Sequence, residues 1–407
     1  MNLNSLLNPF FAAITDTLVT SQIKKARALQ QNTTAKWLTD GGLHVILPGT
    51  GSPLPDDTRA GPCAVVIAGG EYLVVDLGQR SFNRQQTMGL PIAKMTGILL
   101  THFHSDHICE LGETLTMQWA NSGRQQQLPV YGPPGVEQVV AGFTLAYQLD
   151  SGYREDHHGT GNIRSGKGSG ASMLKEHSSG KAITVPIPGD DTSSLDNTLV
   201  FERNGLKVIA FNVDHRPVLP AYGYRFEYNG RVAVISGDTC KCDQLIKYSR
   251  GAEVLVSEAS SCHVLQSVMH GLEACHNHGD PGAKRTSGLV EDVIDYHIDV
   301  QDVVDIASEC QTPVLALTHL VPPPRDNWIL LRMWLSKLHI PSTWSGKLVV
   351  GKDGDTFHLP AAPSKEIKMM NLVSGNGVLT SMKKVGVLVA IVVAWFLRRY
   401  FVKVKHG

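Results

Sequence analysis

Gly97-Ile98-Leu99-Leu100-Thr101-His102-Phe103-His104-Ser105-Asp106-His107 places three imidazoles and one carboxylate directly behind an apolar run. The run predicts a strand. At its end His102 and His104 share one face, because strand side chains alternate with period 2, whereas Asp106 and His107 lie on the turn beyond and can reach a second ion. Imidazole and carboxylate suit Zn²⁺, Mn²⁺ or Fe. A lone His-x-His is explained well enough by a solvated turn. This denser cluster predicts two adjacent divalent metal ions, zinc ahead of manganese or iron, with a position left open for water.

Two ions need more ligands than this segment holds, so further His and Asp residues are expected at later strand ends. His215 follows Lys207-Val208-Ile209-Ala210-Phe211-Asn212-Val213, Asp238 follows Val232-Ala233-Val234-Ile235-Ser236-Gly237, and His319 follows Val314-Leu315-Ala316-Leu317-Thr318. Each stands at the carboxyl end of a β-rich run.

Other blocks keep the same order along the chain: Pro48-Gly49-Thr50-Gly51-Ser52-Pro53, Val74-Val75-Asp76-Leu77-Gly78, Val130-Tyr131-Gly132-Pro133-Pro134-Gly135, and Tyr222-Gly223-Tyr224-Arg225 behind His215. With Ser236-Gly237-Asp238-Thr239, Leu317-Thr318-His319-Leu320 and the His102 cluster, the pattern resembles the metallo-β-lactamase superfamily in its ribonuclease Z and arylsulfatase-like branch. The resemblance implies one metal on His102, His104 and His215, a second on Asp106, His107 and His319, and Asp238 bridging both. It also implies that Glu258, in Leu255-Val256-Ser257-Glu258-Ala259, and His297, in Asp295-Tyr296-His297-Ile298-Asp299, relay a proton to the leaving group. Taken without the family, His297 only precedes a helix and faces solvent equally well.

The expected nucleophile is a metal-bridging hydroxide, since coordination lowers the pKa of water from about 15.7 to about 7. Asp106 is expected to orient it and to take its remaining proton. Phosphodiester hydrolysis is the leading expectation, with arylsulfatase or lactonase-type ester hydrolysis as alternatives. From another class, a membrane-tethered binding protein without turnover remains open. Expected partners are a phosphodiester or small-molecule substrate, a membrane, and a second copy of the chain in a homodimer.

Strands are predicted at 43–49, 63–68 and 71–76, and the pairs Gly69-Gly70, Asn204-Gly205 and Asn229-Gly230 predict hairpins with largely antiparallel pairing. Helices are predicted at 84–89, 134–149 and 300–310. Two sheets with helices outside make an α+β fold, a four-layer αβ/βα sandwich, which is also the metallo-β-lactamase fold that the resemblance implies. Residues 1–38 read as a helical segment and 39–362 as the hydrolase domain, with a flexible Gly, Ser and Lys-rich insertion at about 159–180. Residues 363–407 read as a linker and a C-terminal apolar helix. Many ribonuclease Z enzymes carry a long arm for transfer RNA between the third His motif and the bridging Asp. Here one compact hairpin separates His215 from Asp238.

The composition, 407 residues with 42% hydrophobic and 18% charged, belongs to a folded enzyme and not to a disordered or fibrous chain. Its formal net charge of zero gives no overall attraction to nucleic acid, so an RNA substrate would need a local basic patch. Gly49-Thr50-Gly51 lacks a Walker lysine. Seven cysteines without a framework spacing point to a reducing compartment, and Cys240-Lys241-Cys242 is no standard zinc pattern. The polar stretch 260–288, with His263, His270, His276 and His278, reads as a cap or a surface insertion, and His44, His157 and His158 are expected to face solvent. Finally, Val385 to Leu397 is an apolar run of 13 residues between Lys383-Lys384 and Arg398-Arg399. As a helix it spans roughly 20 Å against a hydrocarbon core of about 30 Å. With Tyr400, Phe401 and Val402 it is expected to anchor the chain in a membrane, on a side that the flanking charges leave undetermined.

Overall fold

Near-continuous apolar runs in the strands bury both faces of two sheets. A computed structural model describes residues 3–158, 173–186, 197–325 and 327–373. β1 (Leu43–Gly49), β2 (Cys63–Ala68), β3 (Glu71–Val75), β4 (Gly97–Leu99), β5 (Leu128–Gly132) and β6 (Gly180–Thr184) form most of one sheet. β7 (Asn197–Arg203), β8 (Leu206–Val213), β9 (Ala221–Tyr228), β10 (Arg231–Ile235), β11 (Val254–Ser260), β12 (Val314–Val321) and β13 (Lys347–Val350) form the other. β14 (Asp355–Leu359) and β15 (Lys368–Asn371) return to the first, giving the orders β15-β14-β1-β2-β3-β4-β5-β6 and β13-β12-β11-β10-β9-β8-β7.

Val66 and Leu73 of one sheet meet Val208, Tyr224 and Val256 of the other in the central core. Their neighbours Val65, Ile67 and Val74 point the opposite way, onto Leu111, Leu115 and Val140 of helices Leu111–Ser122 and Val136–Ala146. Leu255 and Leu315 likewise meet Val303, Val304 and Ala307 of helix Val300–Glu309. Each such aliphatic side chain contributes roughly 1.5–3 kcal/mol when fully buried. The α+β, four-layer αβ/βα sandwich expected from the sequence is the architecture observed.

All three predicted hairpins form, with left-handed φ at both turn residues: 59° and 83° at Gly69-Gly70, 52° and 84° at Asn204-Gly205, 46° and 72° at Asn229-Gly230. The pairing is not largely antiparallel, however. β3 to β6 and β10 to β13 run parallel, because helices intervene between them and return the chain over an outer face. The loops behind β4, β8 and β10 converge with the end of β12. Cross-sheet bonds fix the first of them: Thr101 O accepts from Tyr222 N (3.0 Å) and Leu100 O from the Tyr224 hydroxyl (2.6 Å).

Several expectations are corrected. His44 does not face solvent: the outer face of β1 lies under Trp37, and the ring is fully buried between Asp40 (2.9 Å) and His358 (2.7 Å). The stretch 260–288 is mostly helix, Cys262–Asn277 and Pro281–Tyr296, packed as a hairpin. His157 and His158, by contrast, face solvent as expected, at the end of helix Gln148–His158. Beyond residue 362, where a linker is expected, β15 adds an edge strand to β14. Of the expected insertion, residues 159–172 lie outside the described residues.

The membrane assignment is withdrawn, both as an anchor helix and as a location. Among the described residues no helix is long and apolar enough to cross a membrane. Helix Leu3–Asn32 has the length but is interrupted by Asp16, Gln22, Lys24 and Lys25, and it is tied to the domain by Gln30 Nε2 donating to Leu90 O (3.2 Å). The run Val385 to Leu397 lies outside the described residues, and its length alone falls short of a bilayer.

Candidate active site

Strand ends deliver the candidate ligands, and local backbone strain aims them. His102 and His104 leave β4, and His107 sits in the single turn Ser105–Ile108. His215 follows β8 and Asp238 follows β10. Gly237 makes the last placement: its φ is 64°, and a Cβ there would stand 2.5 Å from Tyr222 O. His319 occupies a bulge in β12, where Glu258 pairs with Thr318 but Ala259 with Leu320. Its φ of 43° is costly for a side chain with a Cβ, and the bulge turns the imidazole into the site.

One carboxylate oxygen marks the centre. Asp238 Oδ2 lies 3.2 Å from His107 Nε2, 3.3 Å from His319 Nε2, and 3.9 Å from both His102 Nε2 and His215 Nε2. Around it the ligand atoms fall into two groups, His102, His104, His215 and Asp238 on one side, Asp106, His107 and His319 on the other. Asp106 Oδ2 is 3.3 Å from His319 Nε2 and 3.6 Å from His107 Nε2. Thus all seven residues expected as ligands come together. Their chemistry fits divalent cations: His102 Nε2 is buried without a hydrogen-bond partner, which costs free energy unless a cation takes the lone pair.

Protonation tendencies follow from burial and charge. Burial holds His102 well below the usual imidazole range and pushes His215 down to about 4, so both rings are neutral and offer lone pairs. Burial works against the Asp238 carboxylate, but the His107 and His319 imidazoles outweigh it and hold it well below its usual range. Glu258 goes the other way, pushed well up by burial and by Asp238.

Glu258 and His297 are joined. His297 Nδ1 is 2.6 Å from Glu258 Oε2, Thr239 N donates to Glu258 Oε1 (2.5 Å), and both side chains are buried. The His297 ring stands 5.2 Å from that of His319 and 5.4 Å from that of His215, so it borders both ligand groups. With Asp238 and His319, Glu258 and His297 also make a close set of buried ligand atoms, and hydrogen bonding already accounts for the pair.

Two supports have no counterpart among the sequence expectations. Asp76, in a left-handed conformation (φ 58°), bonds His107 Nδ1 through Oδ2 (2.8 Å) while accepting from Thr101 N and Oγ1. The carbonyl of Tyr296 accepts from His215 Nδ1 (2.9 Å). Such partners fix the ring and leave its other nitrogen for the cation. Val74-Val75-Asp76-Leu77-Gly78 carried the signal for Asp76 as a motif without a role. Asp76→Asn is expected to weaken cation binding roughly 10- to 100-fold, read by competition against a chelator of known affinity. Unchanged affinity would assign Asp76 to the loop alone.

Comparison with known proteins agrees with this geometry. The sequence model of a family described as a beta-lactamase superfamily domain matches residues 74–320. The chain is 31% identical over 317 residues to a ribonuclease Z of Mycobacterium marinum, covering 76% of this chain and 96% of that protein. It is 32% identical over 282 residues to one of Mycobacterium avium, covering 69% and 86%. Among solved structures, the metallo-beta-lactamase fold protein YhfI from Bacillus subtilis is similar with a TM-score of 0.51 at 18% identity, over 78% of this chain and 99% of that one. The short form of human tRNase Z has a TM-score of 0.50 at 20% identity, again over 78% and 99%. These two likenesses speak for the fold.

Proposed function

Because this chain belongs to the metallo-β-lactamase superfamily as a ribonuclease Z-like hydrolase, we propose that it hydrolyses phosphodiester bonds at a centre of two divalent cations, zinc first among them. The convergence of two ligand groups on one oxygen of Asp238 carries this reading. His102, His104 and His215 would hold one cation, Asp106, His107 and His319 the other, with Asp238 shared. When bound, such ions make water nucleophilic near neutral pH and neutralise charge on the phosphoryl oxygens. Asp106, partly exposed beside His319, would orient the attacking water and accept its proton. His297 would give a proton to the departing oxygen, and Glu258 would replace it through Nδ1, a reading supported by their 2.6 Å contact.

Titration of metal-stripped protein with Zn²⁺ should reach two equivalents per chain, and the loaded protein should cleave bis(p-nitrophenyl) phosphate. One equivalent at saturation would refute the paired centre. Turnover of a sulfate ester or lactone with none of the phosphodiester would refute the substrate class.

A further inference from the structure

Tyr296 ends helix Pro281–Tyr296 and meets the pocket twice. Its carbonyl holds His215, which fixes the main chain. Its ring then stands edge-on to His215 with centroids 5.2 Å apart and planes at 82°, 6.4 Å from His104, and 4.7 Å from His297. The side chain is only half-buried, at the side where His104 is also partly exposed. Its hydroxyl has no hydrogen-bond partner among the described residues.

An anionic substrate meets a difficult environment here. Asp106 and Asp238, held in the charged form, offer acceptors alone and repel it. The basic residues near these loops are committed, Arg216 to Asp214 (2.5 Å) and Lys241 to Asp302 (3.0 Å). A phenol is a neutral O–H donor at ordinary pH, and it brings no charge to compete with the cations. We propose that the Tyr296 hydroxyl contacts the substrate directly, donating a hydrogen bond to a non-bridging oxygen of the phosphoryl group held at the metal pocket. This inference rests on the phosphodiester reading above, and it makes Tyr296 a catalytic residue with a role separate from its carbonyl.

Tyr296→Phe keeps the carbonyl, the ring and the wall, and removes only the donor. In the zinc-loaded protein, inorganic phosphate binding measured by calorimetry should weaken roughly tenfold or more, the ordinary worth of a hydrogen bond to a charged group. Zinc stoichiometry should not change. Turnover of bis(p-nitrophenyl) phosphate should fall by a similar factor, mostly in kcat if the bond strengthens as charge develops. Equal phosphate affinity in wild type and Tyr296→Phe would overturn the inference, as would wild-type protein that binds no phosphate. Loss in Tyr296→Ala with none in Tyr296→Phe would also overturn it and leave the ring as a wall. If wild type fails to cleave phosphodiesters yet Tyr296→Phe weakens phosphate binding, the proposed substrate falls and the hydroxyl contact stands.

Discussion

Asp238→Ala is expected to abolish turnover, by at least about a thousandfold, and to leave the protein unable to retain two cations. The reason is topological. Asp238 Oδ2 is within 3.9 Å of imidazole nitrogens from both ligand groups, so its removal strips a ligand from each, whereas His102→Ala strips one. Elemental analysis after desalting should return clearly fewer than two equivalents. Thermal unfolding supplies an independent reading. A cation that binds only the folded state stabilises it in proportion to the logarithm of its concentration over Kd, so added Zn²⁺ should raise the wild-type Tm and shift Asp238→Ala far less. If Asp238→Ala keeps two equivalents and wild-type turnover, the shared-ligand assignment is wrong.

The parts of this centre that were legible in the sequence are those where chemistry and period coincide. A strand must end before a turn can present ligands, and Gly97 to His107 shows both in eleven consecutive residues. His215, Asp238 and His319 were legible because each follows a mostly apolar, β-rich run, the pattern of a strand covered on both faces. The orienting groups left no such trace. Asp76 acts through a left-handed backbone and Tyr296 through its carbonyl, and neither property is visible in a residue type. His44 shows the converse error. Alternation correctly put it on the outer face of β1, but in a four-layer fold that face lies under other elements, here the turn Thr34–Leu38 with Trp37. The helix Pro281–Tyr296 was legible after all: Asp280 caps it, accepting from Gly282 N (2.8 Å), with proline at the first helical position.

His297→Ala is expected to divide substrates by leaving group. His297 Nδ1 sits 2.6 Å from Glu258 Oε2, so the neutral imidazole can pass its Nε2 proton to a departing oxygen while the Glu258 carboxyl, held protonated by burial, gives its own to Nδ1. An alkoxide, whose conjugate acid has a high pKa, cannot leave readily without that proton; p-nitrophenolate can. Cleavage of an oligonucleotide with an alkoxide leaving group should therefore fall about 100- to 10,000-fold, the usual worth of general acid catalysis, while bis(p-nitrophenyl) phosphate loses much less. Glu258→Gln should show the same division in weaker form, because the imidazole remains but its orienting carboxyl does not. Zinc stoichiometry in both variants separates this role from ligation, since His297 and Glu258 also stand close to Asp238 and His319. Equal losses across the leaving-group series, or a lost equivalent of zinc, would move the pair from proton transfer to support of the metal site.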